Sequence, residues 1–240
     1  MAFLHPLPPR QPFFRIPAVV LWLIGLFVAV HLLRFLAEPL QDAAWVARFA
    51  FIPALYSPAF LAAHGLPPAN FGSLAVPFVS YMALHNDPMH LAINSLMLLA
   101  FGPVVARRFG TGLFLLFFLI CGVAGAATHL LLNWGSTMPV IGASGAISGL
   151  MAAGLRLLPT MRPEASQAAL MPLLSRQFLL FALVWVGTNI VIGLTGIGLG
   201  GETGLIAWQA HLGGFAAGMA LSDLFDRLRP QPVGVNLDGL

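Results

Sequence analysis

Apolar residues in this chain fall into long unbroken blocks, not into the alternating pattern of a half-buried strand. Six blocks are long enough, or nearly so, to cross a bilayer as helices: roughly 14–36, 88–106, 111–132, 143–158, 177–198 and 205–222. A hydrocarbon core of about 30 Å needs about 20 helical residues. The fourth block has only sixteen or so residues, or roughly 24 Å of helix. It is therefore expected to begin below the membrane surface. The pattern predicts an all-α membrane protein.

The first and second blocks are separated by a long semi-apolar piece, 37–87, punctuated by Pro39, Pro53, Pro58, Pro67, Pro68 and Pro77. Its stretch 44–57 is expected to form an interfacial helix. The remainder reads as a folded outer loop, partly inserted. The other links are short. The ends, 1–12 and 228–240, read as loosely ordered. The expected division is a tail at 1–12, a six-helix domain at 13–226 and a second tail at 227–240, both tails cytoplasmic.

Composition strengthens the membrane reading. Hydrophobic residues make up 59% and charged residues 8% of the 240-residue chain, and the mean hydropathy is +0.90. A soluble domain carries about 25% charged residues. The first block lies behind Arg10 and Arg15 and is longer than a signal-peptide core, so it reads as an uncleaved first helix. Cys121 is the one cysteine, which excludes an internal disulfide, a CxxC pair and a cysteine-rich zinc site.

All 11 basic residues are arginine, and the formal net charge is +3. They are scattered between apolar blocks, so nucleic-acid binding is not expected. Their positions orient the chain instead. With six spans and both ends inside, Arg10, Arg15, Arg107, Arg108, Arg156, Arg162, Arg176, Arg227 and Arg229 lie on the cytoplasmic side. Arg34 and Arg48 fall outside. That bias is the positive-inside pattern.

In this topology the second, fourth and sixth blocks run in the same direction. Each has polar residues near its outer end: His90 and Asn94, Ser144, and His211. Polar groups at such depth must find partners or water. His90 and Asn94 are four apart and share a helical face. Ser144, in Gly142-Ala143-Ser144-Gly145, sits at a helix start, where backbone N–H groups lack internal partners. Gly145 and Gly149, and Gly214 and Gly218, form two four-spaced pairs that let helix backbones approach closely. Contact between those helices would bring His211 within reach of Ser144.

Neutral imidazole can accept a proton from a serine hydroxyl and so make it a nucleophile. Glu202, Asp87 and Asp223 are badly placed to be a third member, so a two-residue mechanism fits better than a triad. The helix-start N–H groups, with His90 and Asn94, could stabilise an oxyanion. Plainer readings stay open: polar packing for His90 and Asn94, an N-cap for Ser144, and a structural hydrogen bond for His211.

Three segments together resemble the rhomboid family of intramembrane serine proteases in its six-helix form. They are His85-Asn86-Asp87-Pro88-Met89-His90-Leu91-Ala92-Ile93-Asn94, Gly142-Ala143-Ser144-Gly145 continued through Gly149, and Ala210-His211-Leu212-Gly213-Gly214 with Gly218. The resemblance covers about residues 14–226. It implies a bundle of six transmembrane helices with Ser144 as nucleophile and His211 as base. His90 and Asn94 would assist the oxyanion together with backbone at Ser144. His85 would be an accessory residue in the approach to the site. Segment five and the link 199–204, with Gly196, Gly198, Gly200, Gly201 and Gly204, would form a substrate gate. Implied partners are single-span membrane proteins as substrates, together with membrane lipids. The implied location is a bacterial cytoplasmic membrane, with the site opening outward.

The chain departs from the family pattern twice. Val76-Pro77 stands where many members have Trp-Arg in the first outer loop, so that loop is expected to be anchored differently. Ser148 stands where many have an aromatic residue packed on the base histidine, so another residue is expected to support His211. Two other functions compete with the protease: an inactive binder of membrane segments using the same groove, and a small transporter. The chain shows no half-to-half similarity and no acidic residue in mid-segment, which disfavours the transporter. No cofactor or metal is expected, because the chain lacks His-Glu-x-x-His and a phosphate-binding glycine loop.

Overall fold

The computed structural model describes residues 16–161, 169–195 and 207–229. Helices α1 (Ala18–Phe35), α6 (Pro88–Phe109), α7 (Thr111–Leu132), α8 (Ser144–Leu157), α9 (Arg176–Thr195) and α10 (Trp208–Leu228) form the bundle. Between the first two lie the short helices α2 (Pro39–Phe49), α3 (Pro58–Ala63), α4 (Phe71–Ala75) and α5 (Pro77–Ser80). The protein is an all-α membrane-spanning bundle. Among the described residues, four helices, α1, α6, α7 and α9, are long and apolar enough to cross a membrane.

Helix α8 has 14 residues and sits at the centre. Every residue from Gly145 to Gly154 is buried, packed among α6, α7 and α10. Small residues explain how. A methyl group added at Gly214 would collide with the Gly145 carbonyl oxygen, and one at Gly218 with the Gly149 carbonyl. A methyl group at Gly149 would collide with Cys121 of α7. Backbone contact of this kind is available only where side chains are absent. Helices α6, α8 and α10 run in the same direction, like end beside like end. Their C-terminal ends are tied by Arg108–Asp226 at 2.5 Å and Arg156–Asp223 at 2.8 Å.

The outer loop differs from expectation in detail. Its first helix, α2, begins at Pro39 and ends at Phe49, so the helix expected over 44–57 is divided: extended backbone follows α2, and then a 3-10 turn at Pro53–Tyr56. Proline at the first helical position starts α2, α3 and α5, because its missing N–H costs nothing there. The aromatic residues Phe51, Tyr56, Phe78 and Tyr81 cluster under the loop. Arg34 of α1 binds Asp42 at 2.6 Å and the His85 carbonyl at 2.8 Å, and Ser80 Oγ donates to the Phe49 carbonyl at 2.7 Å.

The loop also holds the segment that leads into α8. Phe51 and Val140 exchange both backbone hydrogen bonds, and Gly142 N–H donates to the Tyr81 carbonyl at 2.9 Å. Tyr81 Oη in turn donates to the Gly122 carbonyl of α7 at 2.8 Å. The chain entering α8 is thus fixed on two sides. The glycines expected as a gate, Gly196 to Gly204, lie outside the described residues. So do 1–12 and most of the second tail, although α10 continues through Leu228 into the region 227–240.

Candidate active site

Ser144 is the first residue of α8, and Ala143 is its N-cap. The Ser144 hydroxyl does not cap the helix. The earliest intrahelical bond is Ile147 N–H to the Ala143 carbonyl, so the N–H groups before it lack a partner within the helix. Ser144 Oγ instead lies 2.7 Å from His211 Nε2. Both residues are partly exposed, while their neighbours Ala143, Gly145 and Ala210 are buried. A polar pair therefore opens from an apolar, tightly packed wall.

Helix α10 begins at Trp208, three residues later than the apolar pattern suggested. His211 consequently lies in its first turn. The close approach of α8 and α10 makes the meeting possible. Two helix starts face each other because the glycines behind them remove the side chains that would hold the backbones apart.

The second polar group stands on α6. Asp87 caps this helix and accepts the His90 N–H at 2.8 Å. That hydrogen bond holds the Asp87 carboxyl below its usual range. The Asn86 N–H reaches His90 Nδ1 at 3.4 Å. An acceptor at Nδ1 leaves the proton on Nε2, and Nε2 faces Gly142. A Cβ at Gly142 would stand 2.6 Å from it and 3.9 Å from Asn94 Nδ2. Gly142 has φ 111°, a conformation that L side chains rarely adopt. Asn94 Nδ2 donates to the His90 carbonyl at 3.0 Å, leaving its second hydrogen available. His90 and Asn94 thus flank the backbone two residues before Ser144.

His85 is fully buried, 5.2 Å from the rings of both Phe27 and His90. Its ring packs edge-on against that of His90. Burial presses its imidazole toward the neutral form, to about 3.

Two side chains of the site were not anticipated individually. Asn189 Oδ1 lies 2.6 Å from His211 Nδ1, and the Trp185 ring stacks on the imidazole at 6.4 Å between centroids. Both stand on α9, four residues apart. Their signal in the sequence was one polar residue in the middle of an apolar block, which in a membrane calls for a partner. Ser148, where support for the histidine had been in question, turns away and donates to the Ser144 carbonyl at 2.7 Å.

A serine at the start of a central short helix, a histidine on the neighbouring helix and a His/Asn pair on a capped third helix stand together within a membrane bundle. A sequence profile of the Rhomboid domain matches residues 73–227, most of the chain. The protein belongs to the rhomboid family. It is 33% identical over 138 residues to the rhomboid protease GluP of Bacillus subtilis (strain 168). That match covers 57% of this chain and 23% of the relative, so the chain spans less than a quarter of the relative's length in the matched region.

Proposed function

We propose that the protein is an intramembrane serine endopeptidase that hydrolyses peptide bonds in or near the transmembrane segments of single-span proteins. The observation that carries this reading is the 2.7 Å contact between Ser144 Oγ and His211 Nε2 at a helix start. Ser144 attacks the scissile carbonyl carbon while His211 takes the hydroxyl proton. The negative charge on the carbonyl oxygen is met by N–H groups at the start of α8 and by His90 and Asn94. His211 returns the proton to the leaving amine. Water then attacks the acyl-enzyme, with His211 again accepting a proton, and Ser144 is released.

The same reading makes α8 and α10 spans as well, for six in all, within a domain at 13–226 between cytoplasmic tails. The charged ends of α6, α8 and α10 gather at one end of the bundle. That arrangement supports a cytoplasmic placement for this end under the positive-inside rule, with the serine toward the outer face of a bacterial cytoplasmic membrane.

The test is cleavage of a single-span substrate in liposomes by the parent, S144A and H211A. Loss of cleavage in both variants, with folding retained, is expected. Cleavage by S144A at the parental rate would end the assignment. Binding without cleavage by the parent would favour the inactive binder.

A further inference from the structure

Asn189 has two ends, and its hydrogen bonds tell them apart. Its Nδ2 donates to the Trp185 carbonyl at 2.8 Å. A carbonyl can only accept, so the amide nitrogen must face it. The atom left for His211 is therefore Oδ1, 2.6 Å from Nδ1. An amide oxygen also only accepts, so Nδ1 must carry the proton. In neutral imidazole that leaves Nε2 with a lone pair, and Nε2 is the atom that meets Ser144 Oγ at 2.7 Å. The polarity of the whole chain follows: Ser144 O–H to Nε2, Nδ1–H to Asn189 Oδ1, Asn189 N–H to the Trp185 carbonyl.

From this we infer that Asn189 is a positioning residue that makes the site a Ser144–His211–Asn189 relay, holding His211 in the tautomer able to accept the serine proton. The inference rests on the protease reading above. The opposite tautomer would present an N–H to Ser144 and could take nothing from it. When His211 gains a proton, Oδ1 remains hydrogen-bonded to the Nδ1–H of the cation. A neutral amide does this without burying a second charge, which a membrane interior penalises.

The local packing is built for the contact. Asn189 is buried, at 6% exposure. Trp185, one turn before it, lies over the imidazole. Gly193, one turn after it, lets the Trp208 indole press against the α9 backbone, where any side chain would collide. Trp185, Asn189 and Gly193 recur at every fourth position and so share one face of α9. That face meets the first turn of α10.

The experiment compares the full-length parent with Asn189→Leu and Asn189→Asp on a single-span substrate. Leucine fills the space without accepting a hydrogen bond, and aspartate restores an acceptor. N189L is expected to lower kcat by about 100-fold, as for a misplaced catalytic group, with KM within twofold of the parent. N189D is expected to recover at least a tenth of the parental kcat. Parental kcat in N189L, or an N189D enzyme as slow as N189L, would overturn the relay.

A second measurement does not need activity. The 15N signals of His211 in the parent, assigned by their absence in H211A, should report protonated Nδ1 and unprotonated Nε2. The reverse pattern would overturn the inference. A parent that neither cleaves nor reacts at Ser144 with a fluorophosphonate would defeat the protease reading, while the nitrogen signals would still report the tautomer.

Discussion

Arg156 Nη1 lies 2.8 Å from Asp223 Oδ2, yet the arginine side chain is 4% exposed and the aspartate 51%. The pair joins the C-terminal ends of α8 and α10, at the far end of the helices from Ser144. Arg156 also donates to the Met171 carbonyl at 3.1 Å and the Met219 carbonyl at 3.4 Å. This asymmetry of burial gives an asymmetric prediction. Removing the carboxylate leaves a buried cation without its counter-charge, whereas removing the arginine leaves a carboxylate that water can reach. D223A should therefore destabilise the fold by about 3 kcal/mol, and R156M by about 1 kcal/mol. The double variant should be no less stable than D223A alone. Detergent-denaturation midpoints for the three variants check the order, and a larger loss in R156M than in D223A would contradict it.

Glycines in this bundle are not equivalent. Gly25 on α1 has nothing within 4 Å of where a Cβ would stand, while Gly214 on α10 faces the Gly145 carbonyl. In G25A the added methyl meets no obstacle, and stability should hold or rise by up to about 1 kcal/mol through helix propensity. In G214A the two backbones must separate. Overpacking of that kind costs about 1–3 kcal/mol, and it also draws His211 from Ser144. A displacement near 1 Å is worth roughly 100-fold in rate. G214A should thus lose activity more steeply than stability, and equal activity in the two variants would refute the account of how the helix starts meet.

The parts of this arrangement legible in the sequence are those set by local spacing. Four-residue spacing put His90 and Asn94 on one face, and the edge of the fourth block marked Ser144 as a helix start. Glycine pairs led to the expectation of a close helix contact, whose structural counterpart is the Gly214–Gly145 approach. What stayed hidden depends on docking. Asn189 is 22 residues from His211 along the chain, and only the seating of α9 against α10 makes it a partner. The short helices of the outer loop were equally obscure. Helices of four to six residues are not stable alone; α4 has an Asn70/Ser73 capping box and Tyr56 Oη on its Leu74 carbonyl at 2.7 Å, and Ser80 Oγ ties α5 to the Phe49 carbonyl. The start of α10 was misjudged because apolar residues continue before Trp208, and hydropathy alone does not mark a cap.

His90 and Asn94 flank Gly142, and their proposed work is done only when a carbonyl oxygen gains charge. Their loss should therefore appear in kcat. N94A is expected to lower kcat by about 100-fold, as for removal of one oxyanion donor, with KM little changed. H90A should do the same. The combined variant should lose less than the product of the two effects, because both side chains flank the same backbone position at Gly142 and neighbours serving one site are not additive. Steady-state kinetics on one substrate decide the matter. A rise in KM with kcat intact would assign these residues to substrate binding instead.

Asp87 reaches the site through the helix it starts. Its carboxylate accepts the His90 N–H at 2.8 Å, and so fixes where the first turn of α6, and with it His90, begins. D87A should cost about 1 kcal/mol of stability as a lost N-cap. D87N should cost little, since asparagine caps as well as aspartate does. The two caps differ in acid. The folded protein holds the Asp87 carboxyl below its ordinary value, chiefly through that backbone hydrogen bond. A depressed folded pKa means that the extra stability is fully present above the unfolded value of about 3.9 and is lost as pH falls through the lower folded value. Between pH 7 and pH 3 the parent should therefore lose more stability than D87N, whose cap does not titrate. Denaturation midpoints at the two pH values provide the measurement. Parallel losses in parent and D87N would show that acid sensitivity arises elsewhere, and that the charge of Asp87 adds nothing to the cap.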